Sequence, residues 1–174
     1  MMIDKFIRQG EWQKARSLIL QQLEENPDDH WLLTRLSTTY YEEHHYDEAL
    51  RISEKALKIS PKCPLVLWDY AGALDMLGKH EDAIKIWRKL IKKGVNKIAY
   101  SECGEGIRWA RSLINDSKYR TAISYLKMGM LSNANKYLRD HLKHRAPGIP
   151  SIYRLSDVKK LFMDIQNKLK HKSQ

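Results

Sequence analysis

A period of 34 residues constrains this chain more than any other feature. The small residues Ala15, Ala49, Ala83 and Ala134 stand 34, 34 and 51 apart, and 51 is 34 plus 17. Five residues before each alanine lie Gly10, His44, Gly78 and Gly129; four after each lie Ile19, Ser53, Trp87 and Leu138. Pro27 and Pro61 are also 34 apart. Independent positions sharing one period mark a stack of similar units, none able to bury its apolar face alone.

Each unit reads as two helices. Leu33, Leu36, Ser37 and Tyr40 follow the i, i+3, i+4, i+7 spacing of one helix face. His44-His45 interrupts it, and Tyr46, Ala49, Leu50, Ile52, Ala56 and Leu57 resume it as far as Pro61. The next unit repeats this with Leu67, Tyr70, Ala71 and Leu74, then Gly78, then Ala83, Ile84, Trp87 and Leu90. Small residues at Ser37, Ala71 and Ala122 would let paired helices approach closely. Only 8 Gly and 5 Pro in 174 residues disfavour a many-turned β architecture.

These positions resemble the tetratricopeptide repeat (TPR) family, whose pattern runs Trp/Leu, Leu, Gly/Ala, Tyr, Ala, Phe, Ala and Pro. In residues 30–63 the pattern falls on Leu33, Leu36, Ser37, Tyr40, Ala49, Ser53, Ala56 and Pro61, with only Ser53 departing. In 64–97 it falls on Leu67, Tyr70, Ala71, Leu74, Ala83, Trp87 and Leu90, with Val95 replacing the proline. Residues 115–148 match through Ala122, Tyr125, Gly129, Ala134 and Leu138, and residues 1–29 look like a unit whose first helix is truncated. The resemblance implies an all-α, right-handed superhelical solenoid forming one domain over 1–174.

Two segments lie outside the period. In 98–114, Ile107, Ala110, Leu113 and Ile114 have helical spacing, whereas Gly104 and Gly106 are poor helix formers. The spacing predicts a short helical turn, a glycine break and an elongated first helix for the last repeat. After Pro147-Gly148-Ile149-Pro150, Ser156-Asp157 offers an N-cap for a capping helix over 155–171. Val158, Leu161, Phe162, Ile165 and Leu169 share its inner face, and Lys159, Lys160, Lys168 and Lys170 supply the polar outer side a solenoid end requires.

No run approaches the ~20 apolar residues of a membrane span, and the first eight residues hold none of signal-peptide length. Two cysteines, Cys63 and Cys103, make neither a disulfide framework nor a four-ligand zinc site, so a cytoplasmic location is expected. Enzymatic motifs are missing. Gly104-x-Gly106 lacks a third glycine, and His80-Glu81 lacks the second histidine of a zinc-protease helix. His44-His45 and the His141/His144 pair read as solvent-exposed histidines, and Cys103 as a plain buried thiol. No catalytic residue, metal or cofactor is expected, so the chain reads as a non-enzymatic module.

By resemblance, TPR stacks hold an extended peptide or a partner helix in a concave groove lined by first-helix side chains. By position, that lining is Trp31, Thr34, Thr38 and Tyr41, then Trp68, Gly72, Asp75 and Met76, then Tyr119, Ile123 and Lys127. Aromatic residues dominate binding hot spots, which favours a protein or peptide partner. Some TPR proteins grip a C-terminal carboxylate with Lys and Asn. Here those positions hold Thr34, Thr38 and Asp69, or, one repeat earlier, Lys5 and Arg35 with Asp69 opposing, and an aspartate repels a carboxylate.

Arg108, Trp109 and Arg111 place two cations around an aromatic on one turn. They either stack on a base or clasp an acidic partner residue, or they fill space between repeats, with Trp109 buried and the arginines paired to Glu105 or Asp116. The net charge of +10 is uneven: residues 1–97 carry +1 and residues 98–174 carry +9. This leaves nucleic-acid (RNA) binding as the alternative, through Arg108, Arg111, Lys118, Arg120, Lys136, Arg139, Lys143 and Arg145. A homo-oligomer through Phe6, Ile7 and Trp12 at the N-terminal end is a third reading.

Overall fold

The computed structural model describes residues 2–145 and 148–171, so Met1 of the first unit and Pro147 of the link lie outside the described residues. Those residues form helices and no strand. In order they are α1 (Met2–Arg8), α2 (Trp12–Glu25), α3 (His30–Glu42), α4 (Tyr46–Ile59) and α5 (Pro64–Met76). There follow α6 (His80–Lys93), α7 (Val95–Ala99), α8 (Gly106–Lys127), α9 (Leu131–Lys143) and α10 (Leu155–His171). They group into two compact units, Met1–Lys79 and His80–Gln174.

One backbone turn explains the period. After α1 the Gly10 N–H donates to the Ile7 carbonyl and the Glu11 N–H to that of Phe6. The same pair closes α3 at His44 and His45, α5 at Gly78 and Lys79, and α8 at Gly129 and Met130. This is a Schellman closure, which needs a left-handed residue just past the helix end. Gly10, His44, Gly78 and Gly129 supply it with φ of 70°, 64°, 78° and 73°. Glycine takes that conformation freely, while His44 takes it against its own Cβ.

In the first unit, α2 packs on α3, α3 on α4, and α5 on both α3 and α4. Close approach depends on residues without bulk. Ala15, Ala49 and Ala71 are fully buried, and the Ser37 hydroxyl donates across the α3–α4 pair to the Ala49 carbonyl at 2.9 Å. The Asp29 carboxylate caps α3 by accepting from the Trp31 and Leu32 N–H groups at 2.8 and 3.0 Å. Pro64 starts α5, where its missing N–H costs nothing.

In the second unit, α8 is the centre, with α6, α7 and α9 packed on it. Trp87 of α6 is fully buried, and the Arg120 guanidinium of α8 lies 5.4 Å from its ring centroid. Residues 98–114 contribute the end of α7, an irregular stretch and the first turns of the 22-residue α8. At Gly104 a Cβ would stand 2.2 Å from the Ala99 carbonyl oxygen, so only glycine lets the chain pass. Helix α10 lays Val158 and Ile165 against Ala122, Ala134 and Leu138. His141 departs from its expected exposure. It is fully buried, because α9 turns it toward α8, where its Nδ1 lies 2.8 Å from the Asn115 carbonyl oxygen. Burial holds its pKa below the usual histidine value. Cys63 is buried and Cys103 half-buried, and neither is in a disulfide.

Candidate functional site

In the first unit, α3 and α5 are neighbours and carry most of the expected groove residues. Trp31, Thr38 and Tyr41 on α3 and Trp68 on α5 are half-buried, and Met76 is 37% exposed. Thr34 and Asp75 are each only 1% exposed and Gly72 is buried, so these three give a partner little surface. Thr34 lies on the buried side of α3, where its hydroxyl is satisfied by donating to the Trp31 carbonyl of its own helix at 2.7 Å.

Charge on this unit is arranged around Arg35. Its guanidinium lies 4.9 Å from the Trp31 ring centroid, and its Nε is 3.1 Å from Asp4 of α1. Asp69, next to Trp68, feels Arg35 as well, but burial dominates and pushes its carboxyl up to about 7. A carboxyl and a cation–π pair thus accompany the tryptophans. Tyr41 is braced edge-on by Tyr46, with ring centroids 5.4 Å apart.

The second unit places its candidates differently. Arg108, Ser112, Asp116 and Tyr119 recur at i, i+4, i+8 and i+11 along α8, and each meets the segment Gly148–Tyr153. Arg108 Nε donates to the Gly148 carbonyl at 2.7 Å, and the Ser112 hydroxyl to that of Pro150 at 2.7 Å. Asp116 accepts from the Ser151 hydroxyl at 2.6 Å and from the Ile152 N–H at 3.2 Å. Tyr119 stacks on Tyr153 with centroids 3.9 Å apart, and Arg145 donates to the Tyr153 carbonyl at 2.9 Å. Burial raises the pKa of both the Asp116 carboxyl and the Tyr119 hydroxyl.

A strap of the chain's own backbone therefore covers the stripe of α8 that bears Tyr119. Arg108 meets a strap carbonyl rather than Glu105 or Asp116, because the Asp116 oxygens already serve Ser151 and Ile152. Trp109 is half-buried and Arg111 exposed; farther along, Ile123 is half-buried and Lys127 exposed. Lys118 is buried and paired with Asp140 at 2.9 Å. At the N-terminal end Phe6, Ile7 and Trp12 are half-buried, with the Lys14 ammonium 5.9 Å from the Phe6 ring centroid.

Residues 40–102 match the family model described as "Tetratricopeptide repeat". That segment, 63 of the 174 residues, is similar to tetratricopeptide repeats. Among solved structures it is similar to MamA 41-end from Desulfovibrio magneticus RS-1, with a TM-score of 0.66 at 11% identity over 83% of this chain and 72% of that one. It is also similar to another MamA structure, with a TM-score of 0.63 at 16% identity over 97% and 84% of the two chains. The thermophilic TPR protein TTC0263 from Thermus thermophilus gives 0.50 at 15% identity over 95% of each chain. At such identities the likeness establishes the TPR-solenoid fold. No curated protein sequence matches the chain.

Sequence reasoning does not find the strap or the partners Ser151 and Tyr153. The bonds from α8 to this segment span 35 to 40 residues and follow no period. Nor does it find a basic cleft on α6 and α9, taken up below. Among the described residues no helix is long and apolar enough to cross a membrane.

Proposed function

We propose that this chain is a non-enzymatic scaffold that holds a peptide or helix of a partner protein on the α3 and α5 side of its first unit. The observation that carries the reading is the row of half-buried aromatics Trp31, Tyr41 and Trp68, with exposed Met76, on neighbouring helices. Half-buried tryptophan and tyrosine are rigid, large and poor in competing rotamers, which suits them as binding anchors. The stripe of α8 that bears Tyr119 is taken by the chain's own segment 148–153, which favours the first unit over the second.

Nucleic acid is the weaker partner class, since Arg108, Lys118 and Arg145 of its proposed contacts are engaged inside the chain. A cytosolic location and reduced thiols belong to the same reading. The test is capture of partners from source lysate by the full chain and by a Tyr41→Ala/Trp68→Ala double variant, with and without nuclease. The variant should keep its helical circular dichroism and lose the captured proteins in both arms. Undiminished capture by a folded variant would remove this face from the function.

A further inference from the structure

The two units differ sharply in charge. Residues 1–79 carry 10 Lys/Arg against 13 Asp/Glu, a net of −3, whereas residues 80–174 carry 21 against 8, a net of +13. Part of that excess is used internally. Lys118 pairs with Asp140, Lys85 with Asp82, and Arg108 and Arg145 donate to carbonyls of the strap. Three of the remaining cations stand together on α6.

On α6, Arg88, Lys89 and Lys92 are all exposed or half-exposed. Together with Lys85 and Ile91 of α6 and Tyr137 of α9 they line an open cleft of about 420 Å³, and no acidic side chain lines it. The cleft is not a mere run of solvated lysines. Ile91 and Tyr137 are half-buried, and the aliphatic stems of lysine and arginine can add apolar wall while their charged heads stay in water. The Tyr137 ring stacks on Tyr125 of α8 with centroids 5.7 Å apart, which fixes it in place.

We propose that this α6–α9 cleft is a docking site for an acidic segment of a partner polypeptide, one apolar side chain entering between Ile91 and Tyr137 and flanking carboxylates meeting Arg88, Lys89 and Lys92. Charge complementarity selects an anionic occupant. The apolar wall of Ile91 and Tyr137 favours a peptide, whose side chain can fill it, over phosphate-driven nucleic-acid binding, which needs no such wall. The cleft shares no residue with the α3 and α5 aromatics.

The test is fluorescence anisotropy on the full chain with a labelled Glu-Glu-Glu-Phe-Glu-Glu-Glu peptide. A ten-nucleotide polyuridine RNA and phosphatidylserine vesicles serve as competing probes. Arg88→Glu/Lys92→Glu should weaken peptide binding about tenfold or more. The control Lys159→Glu/Lys160→Glu, an equal charge change on exposed positions of α10, should stay within about twofold. Replacing Phe by Ala in the peptide should also weaken binding. Equal losses in the two variants would overturn the proposal in favour of bulk charge. Tighter binding of RNA or vesicles, lost on Arg88→Glu/Lys92→Glu, would overturn it in favour of those partners.

Discussion

Asp69→Asn should make the protein more stable at neutral pH and flatten its stability between pH 4 and 7. The Asp69 carboxyl is pushed from 3.8 to about 7 chiefly by burial, against the opposing pull of Arg35. Between those two values the folded chain holds a proton that the unfolded chain has released. Stability therefore falls as pH rises from about 4 to about 7, and levels off above that. A shift of that size corresponds to about 4 kcal/mol at 1.36 kcal/mol per pKa unit, as an upper bound. Asp69 is only half-buried, so solvent screening brings the expected loss to about 1–3 kcal/mol. Asparagine keeps the shape and never ionises. Urea unfolding of both chains at pH 5 and pH 8, followed by circular dichroism, should show the wild type losing about two-thirds of that amount relative to the variant, the rest falling between pH 4 and pH 5. Parallel pH profiles for the two proteins would refute the reasoning.

Other substitutions probe the rest of the structure. His141 shows the opposite pH sense: burial lowers its pKa, so acidification below about 6.5 protonates the unfolded chain first and destabilises the fold, a slope His141→Gln should remove in acid melts. Asp116→Ala strips the Ser151 and Ile152 bonds at a cost of about 1–3 kcal/mol, and hydrogen exchange at residues 148–153 should accelerate while α2–α4 stay protected. Gly104→Ala drives a methyl onto the Ala99 carbonyl oxygen and should cost about 3 kcal/mol or more in thermal unfolding. His44→Gly relieves a left-handed non-glycine residue and should add about 0.5–1 kcal/mol in the same assay.

The repeat is readable because its causes are local. A helix that must end in a left-handed turn calls for Gly10, Gly78 or Gly129, and helices that cross closely call for Ala15, Ala49 or Ser37. Both demands are met by single residues at fixed offsets, so they survive as a period in the sequence. His141 is misread because nothing in its neighbourhood on α9 announces that Asn115, 26 residues earlier, closes over it. The strap is unreadable for the same reason, since its bonds link single residues at unrelated distances. Groove positions carried over by register put Trp31, Tyr41 and Trp68 on half-buried surface. They do not show that Thr34 bonds back to its own helix, or that Tyr153 covers Tyr119. Charge is only half-legible: dividing the chain at 97 hides the cations of α6, and the contrast of −3 with +13 emerges only at the Lys79–His80 boundary.

Site-specific photo-crosslinking tests the scaffold reading most directly. A photoreactive side chain at Thr38, which is half-buried on α3 between Trp31 and Tyr41, should trap a partner protein in nuclease-treated lysate. The same group at exposed Lys168 of α10 should trap none of it. Equal trapping from both positions, or trapping from Thr38 that vanishes with nuclease, would contradict the account.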